Sequence, residues 1–324
     1  FYFCNDPGRG LFILVFLFSL ILISLFVFFF FHKSTQNELN NFSWLSKETS
    51  IIINNWFMMY FLSVVLIGTV YPIFLDVLSS EKISVGPPFY HKLIVPFLIP
   101  FLLAMAIGPK LKWVKSNLDD KFSMISLLII SVLISFFILK IFEANFLINT
   151  ILISSATYLF FITFRDFFIK KFNNISQNIS HFGFSLLILS ILFNSLFSSE
   201  IITNLKVGET FDDSKTKIFF KSIKQKEEKN FKSIVANFNI ESSIGTIENL
   251  SPELRIYNQP NIVTSEADIK TTILSDKFIV INVVQNQDYF NVRYQVKPFM
   301  LWIWLSVLLI SFGGMLSLFK KNYE

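Results

Sequence analysis

Seven stretches of this chain stay apolar for about the thickness of a bilayer, and no other feature of the sequence restricts its fold as much. A helix needs roughly 20 apolar residues to cross about 30 Å of hydrocarbon, and inside lipid only helices and closed barrels satisfy every backbone hydrogen bond. The stretches run from Leu11 to Phe31, Ile51 to Leu75, Leu93 to Ile107, Phe122 to Leu139, Phe146 to Phe164, His181 to Phe197 and Phe299 to Phe319. The third barely reaches the length required and contains Pro96 and Pro100, which predicts a kinked or tilted span. Composition agrees: 53% of the 324 residues are hydrophobic, 42 of them phenylalanine, and the mean hydropathy of +0.57 is far too high for a soluble protein of this length. Charged residues make up 16% and fall between the apolar runs, so the net charge of +5 belongs to loops and does not describe a nucleic-acid-binding surface.

Lysine and arginine in short loops set orientation. One side of the seven-span order carries eleven: Lys33, Lys47, Lys110, Lys112, Lys115, Lys121, Arg165, Lys170, Lys171, Lys320 and Lys321. The other carries four, Arg9, Lys82, Lys92 and Lys140, which places the first set in the cytoplasm, Phe1 outside and Glu324 inside. The chain starts at Phe1 without a charged leader, so it reads as part of a longer membrane protein.

Between the sixth and seventh spans, residues 198–297 carry charge throughout and no run long enough to cross. Lys217 to Lys224 and Phe231 to Ile240 flank the polar turn Gln225 to Asn230 as hairpin strands would, and Phe278 to Val284 and Tyr289 to Val296 are rich in Val, Ile, Phe and Tyr. The expected fold is therefore an all-α polytopic membrane bundle with a small β-rich periplasmic domain inserted before the last helix. Its parts are 1–197, 198–297, and 298–324 for the final helix and tail. No internal repeat and no Gly-rich phosphate loop occurs.

Cys4 is the only cysteine, so the chain has no internal disulfide, no Cys-x-x-Cys pair and no covalent haem-attachment site; a cofactor would be held noncovalently. Of the three histidines, His32 stands beside Lys33 at the inner end of the first span and reads as an interfacial side chain, and His91 marks a membrane boundary. His181 opens the uncharged run His181-Phe-Gly-Phe-Ser-Leu-Leu-Ile-Leu-Ser. A neutral imidazole there can ligate haem iron among apolar neighbours, fill a hydrogen-bonded packing role, or relay protons, and one histidine does not define a metal site. Asp119-Asp120 and Glu227-Glu228 lie beside lysines and read as solvated charge; Asp76 and Glu143 stand near outer helix ends. No Ser/His/Asp constellation can be assembled.

Several segments in order resemble one family. They are Asp6-Pro-Gly-Arg-Gly-Leu-Phe-Ile-Leu, Ser46-Lys-Glu-Thr with Asn54-Asn55, Gly68-Thr-Val-Tyr-Pro72, Ile83-Ser-Val-Gly-Pro-Pro-Phe89, Gly108-Pro109, His181-Phe-Gly, Ser265-Glu-Ala-Asp-Ile269, and Lys297-Pro-Phe-Met-Leu-Trp-Ile-Trp304 with Gly313-Gly314. The whole chain resembles the C-terminal half of the cytochrome c-type biogenesis family CcmF. That resemblance implies a bacterial inner-membrane protein that receives haem from a periplasmic haem chaperone and, with other maturation subunits, attaches it to the Cys-x-x-Cys-His thiols of apocytochrome c as part of a haem lyase. It also implies a noncovalent haem b with two histidine ligands: His181 matches the one in the family's His-x-Gly segment, and the other belongs to a helix upstream of Phe1. Haem-iron reduction by that b haem, fed by quinol, follows from the same likeness. The family's outer haem uses two histidines flanking a tryptophan-rich segment; here Phe1 stands where the second would fall, and neither outer ligand is carried over. A membrane permease or secondary transporter is the alternative, and a noncatalytic assembly anchor a further one. Finally, Pro87 and Pro88 are expected to deny helical structure to Ile83–Tyr90, leaving Val85, Phe89 and Tyr90 as an apolar lip at the membrane surface or as a rigid packed turn.

Overall fold

A computed structural model describes residues 7–31, 43–79, 83–115, 120–142, 146–169, 175–213, 216–242, 245–259, 261–283 and 289–318. Phe1, Cys4, Asp6, His32, Lys33, Lys82, Asp119, Glu143, Lys170, Lys171, Val284, Phe319, Lys320, Lys321 and Glu324 lie outside the described residues. Among the described residues are seven helices long and apolar enough to cross a membrane, and between the sixth and seventh stands a β-sandwich. The chain forms two compact units, Phe1–Asp166 and Phe167–Glu324.

The first unit holds α1 (Pro7–Phe31), α2 (Lys47–Ser79), α3 (Pro87–Ile107), a 3-10 turn at Gly108–Lys110, α4 (Lys121–Phe142) and most of α5 (Phe146–Ile169). Pro87 and Pro88 do not exclude helix. They occupy the first two positions of α3, where the missing N–H has no intrahelical partner to lose and a fixed φ suits the first turn. The third span therefore begins six residues before Leu93 and runs through Pro96 and Pro100 without a break. Tyr60 of α2 donates its hydroxyl to the Leu93 carbonyl at 3.0 Å, in the turn before Pro96 where the proline ring loosens the backbone ladder. Tyr90 lies over Gly68 of α2: a Cβ there would stand 2.7 Å from the phenol oxygen, so the glycine is required by the ring above it.

The second unit holds α6 (Ile175–Phe197), ten strands and α7 (Met300–Leu318). β1 (Ser199–Leu205), β10 (Phe290–Pro298), β9 (Ser275–Val283) and β8 (Asp268–Thr271) form one antiparallel sheet in that order. β2 (Thr210–Asp212), β3 (Thr216–Glu227), β4 (Phe231–Ser242), β6 (Glu253–Asn258) and β7 (Asn261–Glu266) form the other, with β5 (Ile247–Leu250) paired to β4. The four strands expected from sequence are β3, β4, β9 and β10; the six others are short or polar on both faces and carried no clear alternation. The β3–β4 turn is tighter than expected, because pairing continues to Glu227 opposite Lys232.

Period-two alternation builds the core. Ile218 and Phe220 face Ile240 and Phe238 across the β3–β4 ladder, and Ile279 and Ile281 face Tyr294 and Val292 across β9–β10; all eight are buried. Phe220 and Phe238 stack at 4.4 Å. Burial pushes the Tyr294 hydroxyl up to about 12.

Candidate functional site

Small residues at helical spacing draw α6 and α7 together. Ser176 donates its hydroxyl to the Gly313 carbonyl at 2.8 Å and Ser180 reaches the Ile310 carbonyl at 3.5 Å. A Cβ on Gly313 would collide with the Ser180 hydroxyl and stand 2.7 Å from its backbone nitrogen; one on Gly183 would stand 3.0 Å from the Ile310 nitrogen. Close approach of this kind is how helices gain packing energy in lipid, where burial of apolar surface gives none. Gly183 of the His-Phe-Gly segment and Gly313 of the Gly-Gly segment are thus two halves of one contact. Gly314 meets nothing within 4 Å.

His181 stands on a different face. At roughly 100° per residue it lies about 160° around α6 from Gly183 and about 100° from Ser180, away from the stripe that α7 covers. The helix begins at Ile175, earlier than the apolar run suggested, because the polar Gln177 and Asn178 lie inside its first turn. His181 is therefore about 9 Å along the helix and not at its first residue. His181, Phe182 and Phe184 are each half-buried, while Ser185, one turn on from His181, is fully buried. Gly183 fixes which way this face turns by fixing α6 against α7. An imidazole so placed, next in sequence to aromatic residues and with no Asp, Glu, Lys or Arg in its helix, is chemically suited to ligate a haem iron. No group of three or more His, Cys, Asp or Glu that could hold a metal ion occurs among the described residues.

The helix pair continues directly into the sandwich. α6 leads into β1 and β10 leads into α7, and these two strands pair from Ser199 opposite Val296. Asn194 donates to the Pro298 carbonyl at 2.6 Å, and Phe193 packs on Phe299 with centroids 5.5 Å apart. Phe299 has φ of 61°, the left-handed region that an aromatic residue adopts only where its surroundings hold it there. The Lys297–Trp304 segment thus marks the hinge from strand to helix. Within Ser265–Ile269 the chain passes from β7 in one sheet to β8 in the other, and Asp268 holds that corner by accepting the Ser251 N–H at 2.6 Å.

Other segments that carry the resemblance meet in the first unit. Ser46 caps α2 by accepting the Thr49 N–H at 3.3 Å, and the Glu48 carboxylate accepts the Val114 N–H at 3.0 Å. A Cβ on Gly108 would collide with the Ser50 hydroxyl, so glycine lets the end of α3 rest on the start of α2. The 3-10 turn then sends Lys110 onto Asp166 of α5, with contacts of 2.7 and 2.8 Å to the two carboxylate oxygens and both side chains about 10% exposed. Arg165 binds Asp120 at 2.9 Å and also meets Ser123. In the sequence Lys110 and Arg165 read as loop charges, and Asp166 belongs to no motif. The available signal was an Arg-Asp dipeptide at the end of an apolar run, since α5 extends to Ile169 and takes both residues into the helix.

Of the remaining candidates, His91 is exposed in the first turns of α3 and Asp76 is half-buried in the last turn of α2. Glu227 and Glu228 pair with Lys232 and Lys226 at 2.8 and 2.7 Å on an exposed hairpin.

Residues 196–298 match the family model described as the CcmF C-terminal beta-sandwich, which spans the ten strands found here. Over 99% of its length the chain is 28% identical to the cytochrome c-type biogenesis protein CcmF of Pseudomonas fluorescens and 27% identical to that of Escherichia coli strain K12. The chain spans about half the length of these relatives, 51% in each case. A solved structure titled cytochrome c heme lyase CcmF superposes with a TM-score of 0.67 over 84% of this chain and 46% of its own, at 17% identity, and shows the same fold.

Proposed function

We infer that this chain, which resembles the CcmF proteins from end to end, works in cytochrome c maturation as a haem-handling membrane component, part of a haem lyase that delivers haem to the thiols of apocytochrome c. The permease reading loses its support, because the relatives matched over 99% of the chain carry cytochrome c biogenesis names. Haem supplied by a chaperone is the cargo, and other maturation subunits are the expected partners.

The observation that carries the reading is the setting of His181: a half-buried imidazole within an uncharged span, on a face of α6 other than the one α7 packs against. His181 would supply one axial nitrogen to a resident haem b, with the second ligand on a helix upstream of Phe1. A haem b bound there supplies one-electron chemistry, with quinol as the source of electrons. The chain's own residues do the holding. Gly183 and Gly313 fix the azimuth of α6, and the Ser176 and Ser180 contacts keep α7 in place. Replacing His181 with Ala in the full-length protein is expected to remove or shift the reduced b-type absorption bands, and an unchanged spectrum defeats the assignment.

The same reading puts the sandwich in the periplasm, supported by the lysine and arginine asymmetry between loops. An impermeant thiol reagent added to intact cells should label a cysteine at Lys226 and spare one at Lys112; the reverse pattern would invert the topology.

A further inference from the structure

Two hairpin turns of the sandwich, β3–β4 and β8–β9, differ in chemistry. The β3–β4 turn carries Lys226 paired with Glu228, Lys232 paired with Glu227, and Lys229, all exposed to water. The β8–β9 turn instead carries Ile273 and Leu274, 68% and 65% exposed. The two large aliphatic side chains stand side by side at the tip, and Thr272 and Ser275 close the turn with hydrogen bonds beneath them.

Register fixes where this tip lies. Ser275 pairs with Pro298, the last residue of β10 and two before the start of α7, so the preceding Ile273 and Leu274 stand level with the first turn of a membrane-spanning helix. Contacts agree: the Phe299 N–H donates to the Leu274 carbonyl at 2.8 Å, and the Trp302 indole N–H donates to the Ile273 carbonyl at 3.0 Å. Exposed residues on α7 recur at Leu301, Trp304, Leu305, Leu308, Phe312 and Met315, spacings that form a single lipid-facing stripe beginning at the same level. Trp302 and Trp304 sit where tryptophans collect, at the boundary of hydrocarbon and headgroups. Above the tip, Lys270 and Lys277 face each other across β8 and β9, about 10 Å from Ile273 at strand rise, and both pair with Glu248 of β5, at 3.6 and 3.0 Å.

We propose that the β8–β9 turn is a lipid-inserting tip, with Ile273 and Leu274 immersed in the interfacial zone of the leaflet on the sandwich's own side. The lipid-facing stripe of α7 and the tip then form one continuous membrane contact. Insertion would hold the sandwich at fixed height and tilt over the bilayer, with the membrane-proximal end of sheet β1-β10-β9-β8 against the headgroups and the charged β3–β4 turn in water. Insertion of the tip requires neither a particular side of the membrane nor haem.

The test uses the full-length protein in nanodiscs of phosphatidylcholine and phosphatidylglycerol, where both faces are accessible. Its native cysteines are replaced and a single cysteine is introduced as Ile273→Cys or, for reference, Lys229→Cys. Each is labelled with an environment-sensitive fluorophore. The Ile273→Cys label should show blue-shifted emission, several-fold stronger quenching by nitroxide-bearing lipids than the Lys229→Cys label, and several-fold weaker quenching by iodide. Iodide quenching equal to that at Lys229→Cys would put the tip in water and overturn the proposal. Protection from both quenchers would mean that protein covers the tip, and would overturn it equally.

Discussion

α1 and α5 stand at opposite ends of what a membrane span can be. α1 is the most apolar of the seven and none of its spanning residues is buried; α5 is the least apolar and more than half of its span is buried. In water that pairing of polarity with burial would be reversed. In a bilayer the surrounding solvent is hydrocarbon, so a helix facing outward must be apolar all round, whereas a helix facing protein can carry Ser154, Ser155, Thr157, Thr163 and Asp166 where partners exist. Hydropathy thus reports contact with lipid, and a dip in it reports contact with protein.

The strongest way to break this comparison is at Asp166. Removing one member of a buried ion pair strands the other, at a cost of about 3–5 kcal/mol, while replacing both with apolar groups of similar volume costs far less. Asp166→Ala, which leaves Lys110 without the carboxylate that accepts from it at 2.7 and 2.8 Å, should sharply lower the thermal unfolding temperature in detergent. The double variant Lys110→Met with Asp166→Leu should recover most of the loss. If Asp166→Ala unfolds with its parent, the pair contributes no stability and α5 is not held as described.

The sequence made α1 fully legible and α5 only half so, for one physical reason. A run such as Leu11 to Phe31 signals lipid at every residue, and the seven spans were found because that signal is additive along the chain. Interior contacts leave no such trace. Asp166 meets Lys110 across a separation of 56 residues, and the pairing of Gly183 with α7 joins segments on either side of the sandwich. His181 could be singled out as a rare ionisable group in an apolar run, and the family likeness gave it a role. Its placement relative to α7 needed the helix start at Ile175, which the polar Gln177 and Asn178 concealed. In the sandwich, β3, β4, β9 and β10 alternate clearly, whereas β8 shows Asp, Ile, Lys and Thr and is a strand only because β9 pairs with it.

A smaller effect sharpens the comparison within buried helix surface. Ser135 of α4 and Thr157 of α5 approach at 3.4 Å, and each also hydrogen-bonds a carbonyl in its own helix, at 2.8 Å in both cases. Because each hydroxyl keeps its local acceptor, the coupling between them should be modest, about 0.6 kcal/mol, as is usual for interhelical polar contacts in bilayers. A double-mutant cycle with Ser135→Ala and Thr157→Val measures it, and coupling above about 2 kcal/mol would mean that the two hydroxyls depend on one another and not on their own backbones.

The smallest expected effect belongs to α1. Phe30 is 72% exposed, and its ring meets Phe26 of the same helix at 4.3 Å, so the contact at stake is an i,i+4 pair within one span. Such pairs contribute about 0.2–0.5 kcal/mol. Lipid tails solvate leucine as well as phenylalanine, so Phe30→Leu in the full-length protein should change stability by no more than that increment. The control is Phe220→Ala in the sandwich core, where the ring is fully buried against Phe238 and Phe290 and its loss should cost about 3–5 kcal/mol. A loss above about 1.5 kcal/mol at Phe30 would show that the ring packs on protein, since lipid leaves no cavity behind when a side chain shrinks and a packed neighbour does. The all-apolar character of α1 would then have to be explained by an interior position, and the rule that polarity marks the protein-facing span would fail at the helix that states it most clearly.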